Sequence, residues 1–204
     1  MLKGNIHSIL IFLGAALLAS VFLHFQSPNI PDPDSLYHIR HAWIYRTQSL
    51  FDSNFPWTYY SPTRTLPSDL WYGFHLFLIP FAYFKDLIFG VKISGVILTV
   101  LLLASIFGIL KRHKIPFPHF WPFLVLLSVP NALFQFLMMR PQTLSLLLSA
   151  LLFSFLAKGN WILVFLASFG ITFFHFSFFW IIGFILSVYA SALLFFWIVY
   201  RQKA

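Results

Sequence analysis

The sequence predicts an all-α, polytopic helical membrane protein, and three observations carry that prediction. Its 204 residues are 60% hydrophobic and only 9% charged, with a mean hydropathy of +0.85, whereas a water-soluble fold needs a charged and polar surface. Several apolar runs approach the roughly 20 residues with which a helix crosses a bilayer. Those runs are continuous rather than alternating, so they read as helices and not as barrel strands.

The runs fall at 6–25, 88–110, 117–137, 141–157, 161–176 and 179–200, which makes six spans in a single transmembrane domain, 1–204. The first follows Lys3. It exceeds the roughly 7 to 15 apolar residues of a signal peptide and lacks a closing small-x-small pair, so it reads as an uncleaved anchor. A further piece, LWYGFHLFLIPFAYF at 70–84, is short and contains Pro80, which suits a juxtamembrane or re-entrant helix. The positive-inside rule then chooses the orientation. With the N-terminus inside and 70–84 not crossing, Lys3, Lys111, Arg112, Lys114, Lys158, Arg201 and Lys203 gather on the inner side. All five acidic residues, Asp32, Asp34, Asp52, Asp69 and Asp86, fall outside or at the outer interface, all of them in one long loop, 26–87.

The net charge of +8 does not point to nucleic acid, because the basic residues sit mainly at the ends of apolar runs, where they signal topology. The absence of cysteine excludes a disulfide framework and a thiol nucleophile. There is no phosphate-cradling glycine loop, nucleophile elbow or His-Glu-x-x-His.

Charge concentrates instead in PDPDSLYHIRHAWIYR, 31–46. Asp32-Pro33 is a helix start, since Asp is a good N-cap and proline suits the first helical position. At about 100° per residue, a helix over 34–50 carries Asp34, His38, His41, Tyr45 and Gln48 on one face and Leu36, Ile39, Trp43 and Leu50 on the other. This amphipathic helix is expected to lie flat on the outer leaflet with its polar face away from lipid and with Arg40 and Arg46 reaching headgroups at its flanks. Capping and solvation alone account for its acids and histidines. Asp-x-Asp with a nearby His is also a donor set for a divalent cation, Mg or Mn, on Asp32 and Asp34.

Two residues elsewhere reach the same side. Arg140, in FLMMRPQTLSLLL, lies in an outer hairpin; an arginine beside hydrocarbon is costly unless paired, and a lipid phosphate is a natural partner, with snorkelling to headgroups as the plainer account. His175, in TFFHFSFF, sits at the outer turn between the last two spans, as a ligand or as an interface histidine.

DPDSLYHIR resembles the first acidic motif of oligosaccharyltransferase catalytic subunits, acidic-x-Asp-Pro-aromatic-Phe-Asn-Tyr-Arg. Asp32 falls on the first acid, Asp34 on the Asp, Tyr37 on the Phe, His38 on the Asn and Arg40 on the Arg, with departures at Ser35, Leu36 and Ile39. The order DSLYHIR, then NFPW at 54–57, then DLWYGFHLFLIPF at 69–81 is similar to bacterial membrane proteins of the same GT-C glycosyltransferase superfamily. There Asp69 and His75 match an Asp and the last His of an Asp-His-His-Phe-Leu-x-His stretch, while Leu70 and Trp71 replace the His pair.

The resemblance implies transfer of a sugar from a polyprenyl-phosphate or polyprenyl-diphosphate donor to an acceptor at the outer face of a bacterial-type cytoplasmic membrane. Asp34 is then the expected catalytic base or metal holder, with Asp32 as a second metal ligand. Arg40, His38, Asp69, His75, Arg140 and His175 are the expected substrate-binding residues. The expected partners are the lipid-linked donor, membrane lipids, an acceptor and further membrane subunits. Relatives usually have more spans, so the alternative is a non-catalytic scaffold or lipid-binding subunit that keeps the fold.

Overall fold

A computed structural model of the chain describes residues 2–51, 60, 68–128 and 130–201, with the backbone alone for 2–5, 131 and 132. Among the described residues the protein is helical, with no strand. The helices are α1 (Leu2–Phe25), α2 (Pro33–Thr47), α3 (Tyr72–Leu78, continued by a 3₁₀ turn Ile79–Tyr83), α4 (Leu87–Arg112), α5 (Trp121–Leu127), α6 (Pro130–Leu137), α7 (Pro141–Leu156), α8 (Trp161–Phe174) and α9 (Phe179–Arg201). The NFPW stretch, Asp52 and Arg64 lie outside the described residues.

Local chemistry sets most helix starts. Asp32 caps α2 by accepting from the Asp34 amide, with Pro33 in the first turn. Asp86 caps α4 through the Ile88 amide, and Asn160 caps α8 through the Leu163 amide. Each carboxylate or amide oxygen satisfies a backbone donor that has no partner inside the helix.

Among the described residues three segments are long and apolar enough to cross a membrane: Ile6–Phe25, Leu87–Arg112 and Phe176–Arg201. The six expected spans are therefore not all matched in length. α7 and α8, at 16 and 14 residues, fall short of the roughly 20 that a full crossing needs. The run 117–137, read above as one span, is two helices, because Pro130 opens α6 and proline supplies no amide to carry a helix through from α5.

The helices nevertheless alternate in direction. At one end of the bundle Ser8 Oγ meets His119 Nε2 at 2.6 Å and His113 Nε2 meets Ser154 Oγ at 2.9 Å. Along α1 the Phe12 ring stacks on Phe107 of α4 at 4.3 Å, and near the opposite end His24 Nε2 meets Thr99 Oγ1 at 3.0 Å. Gly95 permits that last approach, since a Cβ there would strike the His24 ring. The far end of the bundle receives α2 and α3.

There the structure departs from the amphipathic reading of residues 31–46. His38, His41 and Tyr45, placed by helical periodicity on a solvated face, are buried, and Ile39 from the other face is buried with them. α2 packs on α3, on the 3₁₀ turn and on α4, so residues of both faces are buried, while Asp34, Leu36 and Arg40 stay exposed. Arg46 also differs from expectation: its guanidinium donates to the Ala82 carbonyl at 2.9 Å instead of extending to headgroups.

Candidate active site at one end of the bundle

Asp32 is 2% exposed, and both of its oxygens are held by one arginine. Arg140 Nε donates to Oδ2 at 2.8 Å and Nη2 to Oδ1 at 2.5 Å, a two-pronged pairing that matches the planar guanidinium to the carboxylate. The same Nη2 lies 2.9 Å from Asp34 Oδ2. Residues more than a hundred positions apart thus form one cluster, because α2 begins where α7 begins. Ser35 Oγ adds a donor to Asp32 at 3.2 Å and reaches the Met139 carbonyl at 3.4 Å. Burial pushes the Asp32 carboxyl up, but the Arg140 hydrogen bonds and charge, with the Asp34 amide and Ser35 hydroxyl, outweigh it, and the net shift is downward.

The cluster is half open. The Asp34 side chain is 59% exposed and that of Arg140 28%. Arg140 Nη1 makes no hydrogen bond among the described residues. Arg140 also lines a groove of about 200 Å³ whose walls include Phe136, Leu146 and Phe178. A divalent cation on Asp32 and Asp34, expected from the Asp-x-Asp spacing, does not fit this arrangement: the guanidinium already occupies both oxygens of Asp32, so an ion would have to displace it.

A second cluster lies behind the first and is sealed. Asp69 Oδ2 accepts from the Tyr45 hydroxyl at 2.7 Å and from His75 Nδ1 at 2.5 Å, while Oδ1 accepts from the Trp71 amide at 2.9 Å. In the neutral form of His75 that carries its proton on Nδ1, Nε2 accepts from His38 Nδ1, 2.9 Å away. Asp69, His75 and His38 therefore form an ordered relay in which each partner fixes the tautomer of the next. Burial pushes the Asp69 carboxyl up, but bonds from His75, the Trp71 amide and Tyr45 more than offset this, and the net shift is downward. Burial first, then the neighbouring His75, Arg140, His175 and His41 charges, hold His38 well below the ordinary histidine value. Tyr37, which stacks edge-on against His38 and Trp71, is pushed up by burial and by Asp69 and Asp34.

α3 is held in register for this by a close approach to α8. A Cβ on Gly73 would overlap both the ring and the carbonyl of Phe173, and the Phe176 amide donates to the Leu70 carbonyl at 3.0 Å. That docking brings His175 to Trp71, whose indole N–H donates to His175 Nε2 at 3.4 Å. Since the indole only donates, the neutral imidazole carries its proton on Nδ1, a buried donor without a partner among the described residues.

Of the residues singled out above, the structure gathers Asp32, Asp34 and Arg140 in one cluster and His38, Asp69 and His75 in another, with His175 linked through Trp71. Arg40 stands apart, its guanidinium 4.2 Å from the Trp43 ring. His41, Tyr45 and Trp71 were not singled out as site residues. For the first two a signal existed, since they share the periodic face with Asp34 and His38; Trp71 had none beyond its type. His41 Nε2 lies 3.8 Å from Asp69 Oδ2, and His41, Asp69 and His75 offer donor atoms within 4.8 Å of one another. In that group the His75 Nδ1 proton is already committed to Asp69.

The fold and the two clusters define an all-helical protein with membrane-crossing helices and a carboxylate–arginine site at one end of the bundle. No protein-family model, curated protein or solved structure matches the chain.

Proposed function

We propose that the protein is a GT-C type membrane glycosyltransferase, or part of one, that moves a sugar from a polyprenyl-phosphate or polyprenyl-diphosphate donor to an acceptor. The observation that carries the reading is the Asp34–Arg140 contact of 2.9 Å, with Arg140 also lining the groove that Phe136, Leu146 and Phe178 wall. In the reaction the acceptor's nucleophilic atom bonds to the anomeric carbon, the bond from that carbon to the phosphate oxygen breaks, and the electron pair leaves on phosphate. Asp34 accepts the proton released by the acceptor. Arg140 Nη1, which makes no hydrogen bond among the described residues, donates to the departing phosphate, while Asp32 holds the guanidinium in its plane. The groove walls suit the polyprenyl chain.

The proposal keeps the six-pass topology, with α5–α6, α7 and α8 as short or broken crossings, and puts the site on the outer face of a bacterial-type cytoplasmic membrane. The alternation of helix ends supports it: Asp32, Arg140 and His175 share one end, and Ser8, His119 and Ser154 share the other.

The test is sugar transfer by the full chain reconstituted in proteoliposomes with polyprenyl-phosphate-linked sugars. Asp34→Asn is expected to lower transfer by roughly 10²- to 10⁴-fold and Asp34→Glu to keep part of it. Unchanged transfer by Asp34→Asn refutes the role given to this residue.

A further inference from the structure

Lys92 raises a separate question. It lies in the second turn of α4 and is only 7% exposed. A buried ammonium is costly unless it is paired and hydrogen-bonded, yet among the described residues its one hydrogen bond is to the Ser27 carbonyl, and it lies 5.4 Å from the Phe25 ring centre. An ammonium has three donors, so this leaves two unused.

No described carboxylate is available to it. Asp32 and Asp34 are on Arg140, Asp69 is on His75, and Asp86 caps α4; Asp52 lies outside the described residues. Lys92 instead lines a cavity of about 170 Å³ between the end of α1, the following turn and α4. Its wall carries the polar residues Gln26, Ser27 and Asn29 beside the apolar Leu23, Val91 and Leu137. This is a different site from the Arg140 groove. Leu137 faces the cavity while Gln135 and Phe136 face the groove, so α6 separates the two.

We infer that the Lys92 cavity binds a phosphate group, carried by a membrane lipid or free in solution. A single negative charge on a phosphodiester neutralises one ammonium, and its free oxygens can take the two unused N–H donors. The position suits a headgroup: α1 ends and α4 begins here, where the helices leave the apolar layer, and the wall passes from polar to apolar side chains. The inference is independent of sugar transfer, since it uses no atom of Asp34 or Arg140.

The test is native mass spectrometry of the full chain in a phosphate-free neutral detergent, titrated separately with phosphatidylglycerol, with diacylglycerol and with inorganic phosphate. Phosphatidylglycerol is expected to add as a one-to-one adduct that Lys92→Gln weakens at least tenfold and Lys92→Arg retains, while diacylglycerol does not add at this site. Inorganic phosphate binding with the same Lys92 dependence, and without a preference for the lipid, assigns the site to a free anion. Asp34→Asn should bind as the wild type does. Should Lys92→Gln fail to fold, the Lys92→Met protein and the rise in Tm of the wild type on adding each probe replace it. Adducts and Tm shifts that are indifferent to Lys92 overturn the inference.

Discussion

The two aspartate clusters hang from the same helix and differ in almost every physical respect. Asp32 and Asp34 meet a permanent cation across an opening, with the Asp34 side chain 59% exposed. Asp69 meets neutral-capable imidazoles and a phenol in a site where His41 and His75 are 0% exposed and Asp69 2%. An exposed carboxylate beside a guanidinium can reach a substrate. A sealed carboxylate cannot, and what it does is fix the rings around it. The open cluster is therefore suited to chemistry and the sealed one to holding α2 and α3 together.

The sharpest way to break this contrast is to exchange carboxylate for amide on each side. Asp34→Asn should lower transfer by roughly 10²- to 10⁴-fold, the usual worth of a general base, while leaving the thermal unfolding midpoint close to that of the wild type because the side chain is exposed. A large loss of stability would place Asp34 with the structural residues instead.

Arg140→Met should cost stability by about 3–5 kcal/mol, since it strands the buried Asp32 charge without its partner. The added change Asp32→Asn should recover much of that loss, and denaturant unfolding of the single and double variants checks it. In the sealed cluster Asp69→Ala should cost about 1–3 kcal/mol for each donor left unsatisfied, here the Tyr45 hydroxyl, His75 and the Trp71 amide. It should lower transfer only in proportion to the protein that unfolds.

The smallest expected effect is a difference in pH dependence. Asp32 and Asp69 have depressed values in the folded state, so their stabilisation is complete above the unfolded value of 3.8 and is lost as pH falls through the lower folded value. His38 and His175 are depressed from 6.5, so as pH falls below 6.5 the unfolded chain takes up protons first and stability declines. Thermal unfolding followed from pH 7.5 down to about 5 should therefore weaken through the histidines, with the aspartate contribution intact. His38→Gln should flatten that slope, and an unchanged slope would remove His38 as its source.

The parts of the fold legible in sequence were those written in local chemistry. The Asp32-Pro33 start of α2, Pro141 opening α7 and the long apolar runs of α1, α4 and α9 follow from capping, proline geometry and hydropathy. The break between α5 and α6 was less legible, although Pro130 was its signal, because the flanking residues are apolar enough to read as one run. Periodicity placed Asp34, His38, His41 and Tyr45 on one face. It could not say whether that face met water or another helix, because polar residues satisfied by one another can be buried as readily as exposed.

By itself the sequence determined a helical membrane protein, the capped start of α2, and the set of polar residues available for chemistry. Hydropathy and caps depend on neighbours within a few positions, so the chain states them directly. Tertiary structure alone decided which charges meet: that Arg140 takes both oxygens of Asp32 and touches Asp34, that Asp69 orders His75 and His38, and that Lys92 is buried without a described carboxylate. Those pairings depend on where α2, α3, α4 and α7 stop in space, and long-range packing of whole helices sets that, through contacts such as Gly73 against Phe173.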